Sequence, residues 1–214
     1  MTPQERTDMK IIINDKEYES GKITREKYRV FADAYEKLLE KDANSLVFSE
    51  EDLDRMVKTI VAVYGEQFSF EEATDALDEI SEILLNFSMI NAEIMNKSKL
   101  QAEKTAKTDK ANVIEIHGKE YTCGKIGRKK YKIFRESYQK LTQPDKMTYT
   151  DAELDEMIHA IVAAYDNQFT FEEAAESLED VSEILFNFGL INANILKKLK
   201  DEAESAKKNL TLQV

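Results

Sequence analysis

Hydrophobic positions along the chain follow two periods, and the same succession of periods occurs twice. Ile11, Ile13 and Tyr18 alternate with polar residues, which is the period of a half-buried strand. Asn14-Asp15 lies between the two runs, and such pairs accept the positive φ of a two-residue hairpin turn. Ile114, Ile116 and Tyr121 repeat the pattern around His117-Gly118. A lone hairpin is unstable, so each must pack on helices. After Gly21 the spacing changes to threes and fours. Tyr28, Phe31, Tyr35 and Leu38 then mark one face of a first helix, as do Tyr131, Phe134, Tyr138 and Leu141 after Gly124.

A second helix is expected from Ser49 or Thr150, where Ser49-x-x-Asp52 is a near match to a capping box and Thr150-x-x-Glu153 a full one. Its stripe is Leu53, Met56, Val57, Ile60, Val61 and Tyr64, mirrored by Leu154, Met157, Ile158, Ile161, Val162 and Tyr165. A third helix is expected from Ser69 or Thr170, each followed by a Glu at the box position. Phe70, Ala73, Leu77, Ile80, Leu84, Phe87, Asn91 and Ile94 keep threes and fours throughout, so this helix reads as long and continuous.

Laid over each other, IIINDKEYESGKITREKYRVF and IEIHGKEYTCGKIGRKKYKIF match closely, as do LDRMVKTIVAVYGEQFSFEEATDALDEISEILLNF and LDEMIHAIVAAYDNQFTFEEAAESLEDVSEILFNF. Such self-similarity is the signature of a repeated unit. The organisation predicted is a first domain over 1–98, a polar linker over 99–111, a second domain over 112–200 and a polar tail over 201–214. The fold class is mainly α with minor β, each repeat a short N-terminal hairpin followed by about three helices. Six Gly and two Pro in 214 residues fit long helices with few turns.

The net charge of −12 disfavours nucleic acid as a partner, because phosphates would be repelled. Basic residues at Arg128, Lys129, Lys130 and Lys132, and at Lys197 to Lys200, read as solvated helix faces. No apolar run reaches membrane-span length, and the first ten residues lack the apolar segment of a signal peptide. Cys123 is the only cysteine and stands where the first repeat has Ser20, which suggests a small packing residue.

Candidate chemistry is sparse. Asp42-x-Asn44 and Asp145 precede a helix as in a calcium loop, but the Gly and the bidentate Glu of that loop are missing. His117 and His159 have no partner at metal-ligand spacing, and the first repeat has Asn14 and Lys58 there. No phosphate loop or nucleophile motif is present. The expectation is a binding protein without cofactor, metal or catalytic residue. Asn91 and Asn192 fall on an apolar stripe and need partners. A helix-end position or a bond to backbone inside the domain would satisfy them, or else a register-setting contact with a partner helix. Met89 and Met95 join them as candidate partner-binding residues, because Met adapts to varied apolar surfaces.

These blocks, above all KITREKYRVF and KIGRKKYKIF with VYGEQFSFEE and AYDNQFTFEE, resemble the tail assembly chaperones of long-tailed phages that infect Gram-positive bacteria. The resemblance covers most of both repeats. The chain departs from that family in its tandem copy, where a single domain, sometimes with a frameshifted extension, is usual. It also departs at DALDE and ESLED, which stand where the family often has a glycine-containing break. The resemblance implies a protein of the host cytoplasm, absent from the mature virion. It further implies that the protein binds the tape measure protein, recruits tail tube subunits and forms a possible homo-oligomer. The alternative is a phage or prophage structural or adaptor protein that self-assembles through the same helical domain.

Overall fold

A computed structural model describes residues 8–39, 47–106, 112–143 and 146–211. The expected loops at Asp42-Ala43-Asn44 and at Pro144-Asp145, residues 107–111 of the expected linker, and residues 212–214 of the tail lie outside these. The chain is mainly helical with two small antiparallel hairpins. Its elements are β1 (Lys10–Ile13), β2 (Lys16–Glu19), α1 (Arg25–Leu39), α2 (Glu50–Val63), α3 (Phe70–Ala76) and α4 (Ile80–Ala106). They are followed by β3 (Val113–Ile116), β4 (Lys119–Thr122), α5 (Arg128–Leu141), α6 (Asp151–Ala164), α7 (Phe171–Ser177) and α8 (Val181–Thr211).

Both hairpins close over two residues, with Ile13 opposite Lys16 and Ile116 opposite Lys119. Asn14 and Asp15 sit at φ 51° and 61°, His117 and Gly118 at φ 50° and 74°, the left-handed pair that matches the twist of such hairpins. One face of each carries the buried isoleucines, Ile11 and Ile13 in one and Ile114 and Ile116 in the other. Tyr18 packs edge-on against Phe68, and Tyr121 against Phe169. Gln67 reaches back to the Glu19 carbonyl at 2.7 Å, and Gln168 to the Thr122 carbonyl at 3.0 Å. The Gln-Phe pair thus ties the turn between helices to the hairpin.

Ser49 and Asp52 form a full reciprocal capping box, with the Asp52 carboxylate accepting from the Ser49 N–H at 2.9 Å. Ser69 with Glu72, and Thr170 with Glu173, do the same at α3 and α7. These boxes satisfy N–H groups that a helix start otherwise leaves open.

The third helix is not continuous. It breaks at Leu77–Glu79 and Leu178–Asp180, so among the described residues each repeat has four helices rather than about three. Leu77 leaves the helical region at φ −106° and ψ 61°, and Leu178 at φ −91° and ψ 63°. The restart is capped locally: Asp180 accepts from the Ser182 N–H at 2.9 Å and its hydroxyl at 2.7 Å. The break resets the helix phase. The buried stripe of α4 is Ile83, Phe87, Ile90 and Ile94, while Ile80, expected in the core, is exposed. Tyr131 also departs from expectation and is exposed on α5, whereas Phe134 and Leu141 of the same stripe are buried.

Two compact units divide the chain. The first comprises Met1–Ser98 with Asp145–Ala152 and Glu179–Ser182; the second comprises Lys99–Pro144, Glu153–Leu178 and Glu183–Val214. Residues 99–106, within the expected linker, are the helical end of α4, and 201–211 continue α8. In the first unit Phe87 packs on Phe31 with ring centroids 5.3 Å apart and stacks on Tyr35. In the second, Phe188 meets Phe134 at 5.1 Å and Tyr138 at 5.8 Å. Among the described residues, no helix is long and apolar enough to cross a membrane.

Candidate functional site

The face of α4 opposite its buried stripe is unusually free of charge. Between Ile83 and Asn96 the sequence ILLNFSMINAEIMN contains one ionisable residue, Glu93. Leu85, Met89, Ala92 and Asn96 are all exposed and recur at three and four residues, so they form one line along the outside of the helix. Met95 is exposed too, about 120° round the axis from Met89, and borders Ala92 and Ser88. Leu and Met that meet water on a face whose one bordering carboxylate, Glu93, is half-buried beside Lys97 offer apolar area to a partner.

Met89, Asn91 and Met95 therefore share one helix, with the two methionines outward. Asn91 is half-buried at the margin between the outward and inward faces, and Asn192 holds the corresponding place on α8. Neither sits in the stripe that the uninterrupted spacing suggested: after the break at Leu77–Glu79 the buried stripe of α4 runs through Ile83 and Ile90, and after the break at Leu178–Asp180 that of α8 runs through Ile184, Phe188 and Ile191. Among the described residues the buried asparagines are others: Asn187, which donates to the Glu183 carbonyl at 2.8 Å, and Asn194. Leu85 and Ala92 belong to the exposed line and were missed in the sequence. The signal that finds them is the run of uncharged residues on a helix face already out of phase with the core. On α8 the counterpart of Met89, Leu190, is buried, and that of Met95, Leu196, is exposed.

Behind the exposed line, charge concentrates around one amine. Lys97 lies 3.2 Å from Asp8, 3.8 Å from Glu93 and 4.0 Å from Asp180, all within the first unit. Burial holds the Glu93 carboxyl above its ordinary value, against the opposing pull of Lys97. Lys27 stands nearby, its amine donating to the Ser20 carbonyl at 2.7 Å, and burial lowers its pKa. Tyr64 is pushed up to about 12, first by burial and then by the Glu93 charge. This network fixes α4 to the residues before β1 and to the segment that caps α8. In the second repeat Asn194 replaces Glu93, so the network has no equal there.

Other groups with chemical potential are engaged in packing. The Cys123 thiol is buried 3.4 Å from the Ala164 carbonyl, and burial raises its pKa, which favours the unreactive form. His159 stacks on Phe171 with ring centroids 4.4 Å apart. The His117 N–H donates to the Ser177 hydroxyl. Among the described residues, no group of three or more His, Cys, Asp or Glu side chains is placed to hold a metal ion.

No family model, curated protein or solved structure matches the chain.

Proposed function

We propose that the chain is a tail assembly chaperone that holds a phage tape measure protein through apolar helix contact and recruits tail tube subunits to it. The observation that carries this reading is the exposed, uncharged line of Leu85, Met89 and Ala92 on α4. A tape measure protein is long and amphipathic, and an uncharged helix face can cover its apolar stripe by helix-to-helix packing. Met89 and Met95 bring flexible, polarisable side chains that suit a partner whose sequence varies along its length. The net charge of −12 keeps such a complex in solution without taking part in recognition. The resemblance of KITREKYRVF and VYGEQFSFEE to that family points the same way. On this reading the protein works in the host cytoplasm, has no catalytic role and is absent from the finished virion. A self-assembling structural or adaptor role is the second reading. Val47 and Ile80, apolar and exposed, favour it.

The test is co-expression with a tape measure segment and comparison of the complex at low and high salt. Apolar binding persists as salt rises, whereas charge-driven binding weakens once screening sets in. A segment equally soluble without the protein, or a complex lost at moderate salt, refutes the mechanism.

A further inference from the structure

The first unit is completed by two segments that belong in sequence to the second repeat, and the corresponding segments of the first repeat stand unused. Thr148 is 6% exposed, while Val47 at the same repeat position is 81% exposed. Val181 is 0% exposed and its equivalent Ile80 is 54% exposed. Asp180 and Ser182 are buried; Glu79 and Ser81 are exposed, although the Ser81 hydroxyl still bonds to Glu79 at 3.2 Å. The first repeat thus displays an edge like the one that the second repeat places inside the first unit.

The seat for that edge is also present twice. In the first unit, the Tyr149 N–H donates to the Tyr28 hydroxyl at 3.0 Å. Asp151 pairs with Arg25 and Arg29, and Thr148 donates to Glu36 at 3.3 Å. The Ile23 backbone exchanges bonds with the second segment, its N–H reaching Asp180 and its carbonyl accepting from Val181. Lys22 pairs with Glu179. At the matching positions the second unit has Tyr131 for Tyr28, Arg128 and Lys132 for Arg25 and Arg29, Ile126 for Ile23 and Lys125 for Lys22. Tyr28 is 2% exposed and Tyr131 is 41% exposed. Arg128, Tyr131 and Lys132 line an open groove along α5.

We infer that the exposed edge of the first repeat, Val47 to Glu50 with Asp78 to Ile80, docks on the α5 groove of a second copy of this chain. The junction seen inside the first unit is thereby reused head to tail. The charges match at every ionic position of that junction. Glu50 replaces Asp151 against Arg128 and Lys132, and Asp78 replaces Glu179 against Lys125. Phe48 replaces Tyr149 and offers the same backbone N–H to Tyr131. Two positions change character: Val47 and Gln139 replace the hydrogen-bonded Thr148 and Glu36, so an apolar contact takes the place of that bond, and Arg135 stands where Ala32 is buried, so its stem must lie along the seat with the guanidinium in water. Edge and groove are different surfaces, so the contact is heterologous and leaves a free edge and a free groove after each addition. The partner is another copy of this chain, whether or not the chain also binds a tape measure protein.

Sedimentation velocity of the full chain alone, across a wide concentration range, tests this. The wild type should show a sedimentation coefficient that climbs with concentration. Ile80→Asp removes the edge and Tyr131→Asp removes the groove; both residues are exposed, so each variant keeps the wild-type circular dichroism and sediments as a monomer. Mixed in equal amounts, the two variants share one intact edge and one intact groove and should give a single 1:1 complex that grows no further. Val47→Asp and the pair Arg128→Glu with Lys132→Glu should behave as the edge and groove variants do. A wild-type chain that stays monomeric throughout overturns the inference. So do variants that associate like the wild type, or a mixture that stays monomeric.

Discussion

Tyr28 and Tyr131 are the same residue at the same repeat position, yet they should respond to substitution very differently. Tyr28 is 2% exposed, 6.2 Å from the ring of Phe31, and its hydroxyl accepts from the Tyr149 N–H at 3.0 Å. Replacing a buried aromatic by Ala removes its burial and leaves a cavity, a cost of about 3–5 kcal/mol. Tyr28→Phe keeps the ring but leaves the Tyr149 N–H without its acceptor, which costs about 1–3 kcal/mol if water cannot enter. Tyr131→Ala on the exposed face should stay within about 0.5–1 kcal/mol. Urea unfolding followed by far-UV circular dichroism reads the difference, at a concentration low enough that the chain is monomeric. With a slope of about 2 kcal/mol per molar urea, Tyr28→Ala should lower the midpoint of its unit by about 1.5 M or more, and Tyr131→Ala by at most about 0.5 M. Equal shifts for the two alanine variants would refute the claim that the Lys146–Ala152 segment seals α1 in solution.

Phe188→Ala, which empties the contact with Phe134 and Tyr138, should cost about 3–5 kcal/mol, read as a lowered urea midpoint; a shift within error would place the ring outside the core. Glu93 gives a pH signature. Its folded pKa is raised by burial, so the folded state holds the proton more tightly than the unfolded chain. Its contribution to stability therefore falls as pH rises from the ordinary Glu value through the raised one. Glu93→Gln should flatten that part of the stability–pH curve and be at least as stable as wild type at neutral pH, because Lys97 keeps Asp8 and Asp180. A clear loss at neutral pH would mean that the Lys97–Glu93 attraction outweighs the cost of burial.

Local signals were the legible part of this fold. Asn14-Asp15 and His117-Gly118 announced hairpin turns because few residue pairs accept positive φ at both positions. The Ser69–Glu72 and Thr170–Glu173 boxes announced helix starts because reciprocal capping needs those spacings. The break of the third helix was missed, since no Gly or Pro marks it and the apolar spacing runs across it undisturbed. The signal was Asp180-x-x-Glu183 ahead of an apolar run, itself a helix start placed within an expected helix. Missing it displaced the predicted α4 stripe. Asn91 then looked like a buried polar residue, and the exposed Leu85 went unnoticed. The unequal fates of Tyr28 and Tyr131 were not readable at all. They depend on whether the Lys146–Ala152 segment covers the ring, which periodicity within one repeat does not encode.

The central claim is that the α4 line binds an apolar helix, and the most direct measurement is the affinity of a tape measure segment for the Leu85→Asp, Met89→Asp double variant. Both residues are exposed, so the variant should retain its far-UV spectrum and urea midpoint. Burying each side chain against a partner is worth about 1.5–3 kcal/mol, so losing both should weaken binding by about a hundredfold or more. A folded double variant that binds the segment as tightly as the wild type would contradict the account.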